Sequence, residues 1–280
     1  MGYEGRLAGK RAIVTGSGTG IGREVALEFA RQGADVVLHY AHSGKGAETA
    51  VEEIRAMGRR ASAFQANFDN VDEVVALGAS AIEFLGGIDC LVNNAGITFN
   101  KPFQKVTREQ FDMMYHVNIR AQFFLTQRVV EDMLHHGGGA VCNVTSIHGV
   151  QGAPEHSVYA GTKGAIVAYT RALAMELGHK GVRVNAIAPG WVTVDNYYTV
   201  LPGFNLEQAK KDAAEKVPRG RYGLPIDIAR LAVFLCSDDS DYIIGQTIVA
   251  DGGTTSLMSL ISDFRSESAA RFGKGYLPGI

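Results

Sequence analysis

Tyr159 and Lys163 stand four residues apart, thirteen residues beyond Ser146, in the stretch His156-Ser157-Val158-Tyr159-Ala160-Gly161-Thr162-Lys163. On a helix, positions i and i+4 share one face, so the Lys163 ammonium would come within reach of the Tyr159 phenol. A free phenol has a pKa of about 10 and stays protonated at neutral pH, whereas a cation close by favours the phenolate. Such a pair makes tyrosine a usable general acid or base. The same spacing also describes a solvated surface pair, so the chemistry depends on what the rest of the chain places around it.

A second element lies near the amino terminus. Lys10-Arg11-Ala12-Ile13-Val14-Thr15 reads as a short strand, and the glycine-rich run Gly16-Ser17-Gly18-Thr19-Gly20-Ile21-Gly22 follows it directly. A helical pattern then runs from about Ile21 to Arg31, with Val25, Ala26 and Phe29 as its apolar stripe and Gly33 placed to end it. In a strand–turn–helix context, glycines let backbone N–H groups approach a pyrophosphate held at the positive end of the helix. A flexible strand-to-helix turn would use the same residues.

The chain alternates strand and helix without repeats or low-complexity linkers. Strands are predicted at 12–15, 36–40, 61–65, 88–92, 139–145, 182–188 and 246–250, with helices between them, for example at 46–57, 71–84 and 158–177. Short apolar strands alternating with helices imply an α/β fold with a doubly wound, seven-stranded parallel sheet covered on both faces. Ligands in such sheets bind at the carboxyl ends of the strands. The glycine-rich turn, Asn67, Asn94, Ser146 and Pro189 all follow predicted strands, so one edge of the sheet gathers them.

Composition narrows the function classes. The 280 residues are 46% hydrophobic and 20% charged with a formal net charge of -2, which lacks both the basic excess of a nucleic-acid binder and the polarity of a disordered chain. No apolar run is long enough to span a membrane, and the first twenty residues hold the glycine-rich turn rather than a signal peptide, so a cytoplasmic location is expected. Cys90, Cys142 and Cys236 are far apart and lack metal-ligand spacing, which reads as buried reduced thiols. His135-His136 is expected at a helix end, capping carbonyls or facing solvent, and no metal site is expected.

Taken in order, Thr15-Gly16-x-x-x-Gly20-Ile21-Gly22, Asn93-Asn94-Ala95-Gly96, Asn118, Ser146, Tyr159-x-x-x-Lys163 and Pro189-Gly190 resemble the motif set of the short-chain dehydrogenase/reductase family, over about residues 7 to 254. The stretches His39-Tyr40-Ala41-His42-Ser43 and Gly223-Leu224-Pro225-Ile226-Asp227-Ile228-Ala229-Arg230 look most like 3-oxoacyl carrier-protein reductases and hydroxynaphthalene reductases, with a similarity to glucose dehydrogenases. The resemblance implies one Rossmann-fold domain over 1–255, with a substrate lid at about 194–217 and a C-terminal extension at 256–280. It also implies an NAD(P)-dependent oxidoreductase that moves a hydride between nicotinamide and a carbonyl or secondary alcohol carbon. A catalytically inactive dinucleotide-binding regulator on the same fold is the alternative.

Roles follow from that resemblance. Ser146 would donate a hydrogen bond to the substrate oxygen, Tyr159 would protonate or deprotonate it, and Lys163 would lower the Tyr159 pKa and hold the nicotinamide ribose. Asn118 resembles the family asparagine that links the lysine to solvent through a water. Cofactor contacts are expected from Gly16, Ser17, Thr19, Gly20, Ile21 and Gly22 in the turn and from Tyr40, His42 and Ser43 after the second strand. Further contacts are expected from Asn67 and Phe68 after the third, from Asn94, Ala95 and Gly96, from Tyr159 and Lys163, and from Pro189, Gly190 and Val192.

Tyr40-Ala41-His42-Ser43 carries no carboxylate to repel a 2′-phosphate, and His42, Ser43 and Lys45 could donate to one, which favours NADP with NAD or dual use as the alternative. Thr19 stands where NADP-using relatives often carry a basic residue, and Val194 stands where the family usually has a threonine. His148, Trp191 and Tyr197 are expected at the substrate site. The predicted lid mixes Tyr197, Tyr198, Leu201 and Phe204 with a polar helix at 207–216, which suits a sugar, a polyol or a small polar ketone, with a 3-oxoacyl substrate as a further reading. The resemblance also implies a homotetramer. In the tail, Phe264, Ser268 and Phe272 are four apart and read as an ordered amphipathic element. Phe264, Phe272, Tyr276 and Leu277 are expected as anchors across a subunit boundary, with a tail folded on its own subunit as the alternative.

Overall fold

In β1 (Arg11–Val14), Ala12 and Val14 face one side of the sheet and Ile13 the other, and all three are fully buried, as a strand covered on both faces requires. A computed structural model describes residues 5–194 and 203–257. After β1 come α1 (Gly20–Arg31), β2 (Asp35–Tyr40), α2 (Gly44–Ala56), β3 (Ala61–Gln65), α3 (Val71–Leu85) and β4 (Cys90–Asn93). The chain continues through α4 (Arg108–Tyr115), a π turn (His116–Arg120), α5 (Ala121–His135), β5 (Gly139–Val144), α6 (Ser157–Leu177) and β6 (Val182–Pro189). It closes with α7 (Leu206–Lys216), α8 (Pro225–Cys236) and β7 (Thr247–Ala250).

The seven strands form one parallel sheet in the order β3-β2-β1-β4-β5-β6-β7. Strand order reverses between β1 and β4, and that switch point opens a crevice at the carboxyl edge. One face packs on α1, α2 and α8 through Val25, Phe29, Ile54 and Ile228, and the other on α3, α5 and α6 through Leu77, Leu125, Met133 and Ala174. The three cysteines are buried and unbridged, and burial pushes the Cys142 thiol up to about 12. No helix among the described residues is long and apolar enough to cross a membrane.

Boundaries differ from the sequence reading by one or two residues, each for a local reason. β4 begins at Cys90 rather than 88, because the Ile88 N–H donates to the Asp132 carboxylate at 2.8 Å. β1 stops before Thr15, whose hydroxyl oxygen accepts the N–H groups of Asn94 and Ala95 at 3.0 Å each. The polar helix expected at 207–216 is α7, started by Asn205 accepting the Gln208 N–H at 3.0 Å. Tyr197, Tyr198 and Leu201 of the expected lid, and the tail from 258 on with its proposed anchors, lie outside the described residues.

Candidate active site

The crevice at the switch point is a cleft of about 480 Å³ at the carboxyl ends of β1, β2, β4, β5 and β6. Its floor is set by the turn after β1. Gly16 has φ +62, a conformation that favours glycine, and a side chain at Gly22 would collide with the Gly16 carbonyl oxygen, so α1 can rise directly from the turn. The Asn94 amide locks this arrangement, donating to the carbonyl oxygens of Thr15 (3.0 Å) and Gly16 (3.2 Å). α1 has no acidic residue in its first turn, which leaves its positive end open to an anion.

Ser146 follows β5, and its Oγ accepts the His148 N–H at 3.2 Å, so its own proton remains to be donated into the cleft. Tyr159 and Lys163 lie on α6, with the Lys163 Nζ 5.6 Å from the Tyr159 ring centre. Lys163 is almost fully buried, donates to the Val144 carbonyl at 2.9 Å, and its pKa is drawn down to about 8 by burial. The Thr145 hydroxyl donates to the Lys163 carbonyl at 2.7 Å and pins this turn of α6 to the end of β5. Serine, tyrosine and lysine therefore face one space together with the glycine-rich turn.

Of the other residues expected at the cofactor, Gly16, Thr19, Gly20, Ile21, His42, Ser43, Phe68, Asn94, Ala95, Gly96, Pro189, Gly190 and Val192 line the cleft. Four do not. The Ser17 side chain turns inward, fully buried, and donates to the Val14 carbonyl at 2.7 Å; Gly22 sits beneath Gly16. The Tyr40 ring lies against Gly44, and Asn67 is exposed, with its Oδ1 accepting the Asp69 N–H at 3.0 Å. The Ser17 hydroxyl is thus spent within the protein and Gly22 has no side chain, while Asn67 keeps its Nδ2 unbound at the surface.

Asn118 stands behind the cleft wall rather than on it. It is fully buried within the π turn, where its Oδ1 accepts the Ile97 N–H (2.8 Å) and its Nδ2 donates to the Ile97 carbonyl (2.9 Å) and the Thr162 hydroxyl (3.1 Å). His148 stacks on His156 with ring centres 4.4 Å apart, and both rings meet Tyr159 edge-on at 5.7 and 6.4 Å. Burial, and secondarily His156, lowers the His148 pKa. Trp191 is half-exposed and stacks on Tyr222 at 5.3 Å, outside the cleft lining.

Several lining residues went unread in the sequence: His39, Ile97, Thr98, Val117, Val144 and Thr145. Thr98 and Val117 lie on a loop and a π turn whose course periodicity does not encode. His39 carried a readable signal, a histidine inside an otherwise apolar strand.

The sequence model of the family described as enoyl-(acyl carrier protein) reductase matches residues 16–255. A hydroxynaphthalene reductase-like protein, Arp2, of Metarhizium anisopliae is 40% identical over 256 residues, covering 89% of this chain and 96% of that protein. Among solved structures, a 7α-hydroxysteroid dehydrogenase complexed with NADH and 7-oxo glycochenodeoxycholic acid superposes with a TM-score of 0.83 at 37% identity, covering 90% of this chain and 96% of the other. A short-chain dehydrogenase from Burkholderia cenocepacia in complex with NADP gives 0.81 at 32% identity, covering 89% and 99%. With the parallel sheet, the glycine-rich turn and the serine–tyrosine–lysine cleft in place, the chain belongs to the short-chain dehydrogenase/reductase family and is an oxidoreductase.

Proposed function

We propose that the protein is an NADP-using reductase or dehydrogenase acting on the carbonyl or secondary alcohol carbon of a small polar substrate, a sugar, polyol or ketone, with a 3-oxoacyl thioester as a further candidate. The observation that carries this is the shared cleft: Ser146, Tyr159 and Lys163 face the same space as a turn built to approach a pyrophosphate. A bound dinucleotide would lie over Gly16, Gly20 and Ile21 and against Asn94 to Gly96, with its nicotinamide end toward Tyr159, Lys163 and Pro189, and would supply or accept the hydride. Ser146 directs its hydroxyl proton at the substrate oxygen, and Tyr159 gives that oxygen a proton as it becomes an alcohol, or takes one in reverse. Lys163 holds positive charge beside Tyr159. Asn118 positions that wall from behind by bridging Ile97 and Thr162.

NADP is favoured by the end of β2. Ala41, His42 and Ser43 line the cleft without a carboxylate, α2 begins at Gly44 with no acidic residue in its first turn, and the Ser43 side chain makes no capping bond of its own. Related structures carry either NADP or NADH, so dual use is the competing reading. His42→Asp should repel a 2′-phosphate and shift kcat/KM toward NAD by about tenfold. A wild type that already strongly prefers NAD would contradict this account of β2.

The catalytically idle regulator is not favoured, because all four groups expected to carry the reaction are present and three of them face one cleft. We further propose a cytoplasmic homotetramer. The deciding experiment follows nicotinamide absorbance with each cofactor against sugars, polyols, diketones, hydroxylated aromatic ketones and 3-oxoacyl thioesters. Tyr159→Phe should lower kcat on any accepted substrate by at least about 1,000-fold while cofactor still binds, since only the transferable proton is removed. Residual turnover near wild type would refute the assigned roles.

A further inference from the structure

His39, one residue before the end of β2, is a polar side chain only 2% exposed, and its ring forms part of the cleft wall. Its two ring nitrogens serve different segments of backbone. The Gly16 N–H donates to Nδ1 at 3.1 Å, and Nε2 lies 3.0 Å from the Ala66 carbonyl oxygen. An N–H only donates and this carbonyl only accepts, so the single ring proton belongs on Nε2. The ring also lies flat on Phe68, with centres 4.1 Å apart and planes 9° from parallel. The His39 backbone adds two more ties, donating to the Ser17 hydroxyl oxygen at 3.1 Å and accepting the Ser17 N–H at 2.9 Å.

One side chain thus joins the first residue of the glycine-rich turn to the segment that follows β3, and Gly16 and Phe68 both face the cleft. The Gly16 contact does not tolerate a second proton, which would occupy Nδ1, whereas the bond to the Ala66 carbonyl would survive it. Burial keeps that proton away, drawing the His39 pKa down to about 4. The Gly16 N–H is also consumed by this contact, so ligand phosphate must be met by N–H groups later in the turn.

We propose that His39 is a cofactor-positioning residue, an imidazole locked in one tautomer that fixes the gap between the glycine-rich turn and the Phe68 wall and thereby the affinity for the adenosine half of a dinucleotide. This rests on the cofactor reading given above. Chemically, the role needs an acceptor at the Nδ1 position. Asparagine places its Oδ1 near that point, glutamine does not, and phenylalanine keeps the stack on Phe68 while losing both hydrogen bonds.

The test titrates the full chain with NADPH and with NADH, read by nicotinamide fluorescence, for wild type, His39→Asn, His39→Gln and His39→Phe. Loss of the Gly16 contact should raise Kd about tenfold in His39→Phe and His39→Gln, the penalty of one orphaned buried N–H, and appear in cofactor KM rather than in kcat. His39→Asn should return to within about threefold of wild type. Equal affinities in all four proteins, an asparagine variant as weak as the glutamine one, or a loss confined to kcat would overturn the proposal. If His39→Phe fails to fold, the asparagine–glutamine pair still decides. A wild type that binds neither dinucleotide would instead refute the cofactor reading itself.

Discussion

At Lys163, burial draws the ammonium pKa down to about 8 while the Val144 carbonyl accepts its proton at 2.9 Å. In the unfolded chain the same group titrates near its ordinary value of 10.5. Between those two values the unfolded state holds more protons, so stability rises with pH across this window, and at neutral pH the folded protein carries a penalty of order 3 kcal/mol for the buried charge. Lys163→Met should therefore abolish turnover yet stabilise the fold at pH 7 by about 1–3 kcal/mol, after allowing for the lost hydrogen bond to Val144. The gain should shrink as pH approaches 10.5. Thermal melts of both proteins across that range check the sign, and a variant less stable at pH 7 would contradict it. The lysine is kept at that cost because its charge beside Tyr159 serves the reaction proposed for the cleft.

Secondary elements were legible where a period or a glycine signalled them. β2, β5, β6, α3 and α6 fall within two residues of their expected bounds, because apolar runs announce them locally; at α3 the structure adds an Asn70 cap that accepts the Asp72 N–H. The site was legible wherever a backbone turn needs a particular residue, as at Gly16, and opaque wherever function depends on which way a side chain faces. Ser17 and Tyr40 belong to readable motifs but turn away from the cleft, a choice made by tertiary hydrogen bonds and packing. The π turn is the clearest omission. A five-residue widening between α4 and α5 leaves no periodic trace, yet it carries Asn118 inward to Ile97 and Thr162. Asp69 grips the two ends of that turn, its Oδ1 2.7 Å from the His116 Nδ1 and its carbonyl accepting from Arg120. Asp69→Ala is expected to lower stability by about 1 kcal/mol and kcat severalfold, with cofactor Kd nearly unchanged. A lower melting temperature at full kcat would mean that backbone bonds alone hold the turn.

On the scale of the whole molecule, the described surface is not uniformly polar. Phe103 is 75% exposed, and Phe111, Met113 and Phe123 of α4 and α5 are each about half so. Phe103, Val106, Phe111 and Val158 line a second cavity, beside the start of α6. Isolated exposed apolar residues need no explanation, but four large ones on neighbouring elements are the mark of a covered face. The homotetramer proposed here would bury them, and because Val158 adjoins Tyr159 on α6, the same contact would brace the catalytic helix. Phe111→Glu combined with Phe123→Glu puts two charges where the neighbouring subunit must dock, at a desolvation cost of several kcal/mol. Light scattering should then report a particle smaller than four chains, and kcat should fall while circular dichroism stays that of the folded subunit. A double variant with the wild-type mass would remove this face from the assembly, and a wild type already monomeric in solution would remove the tetramer.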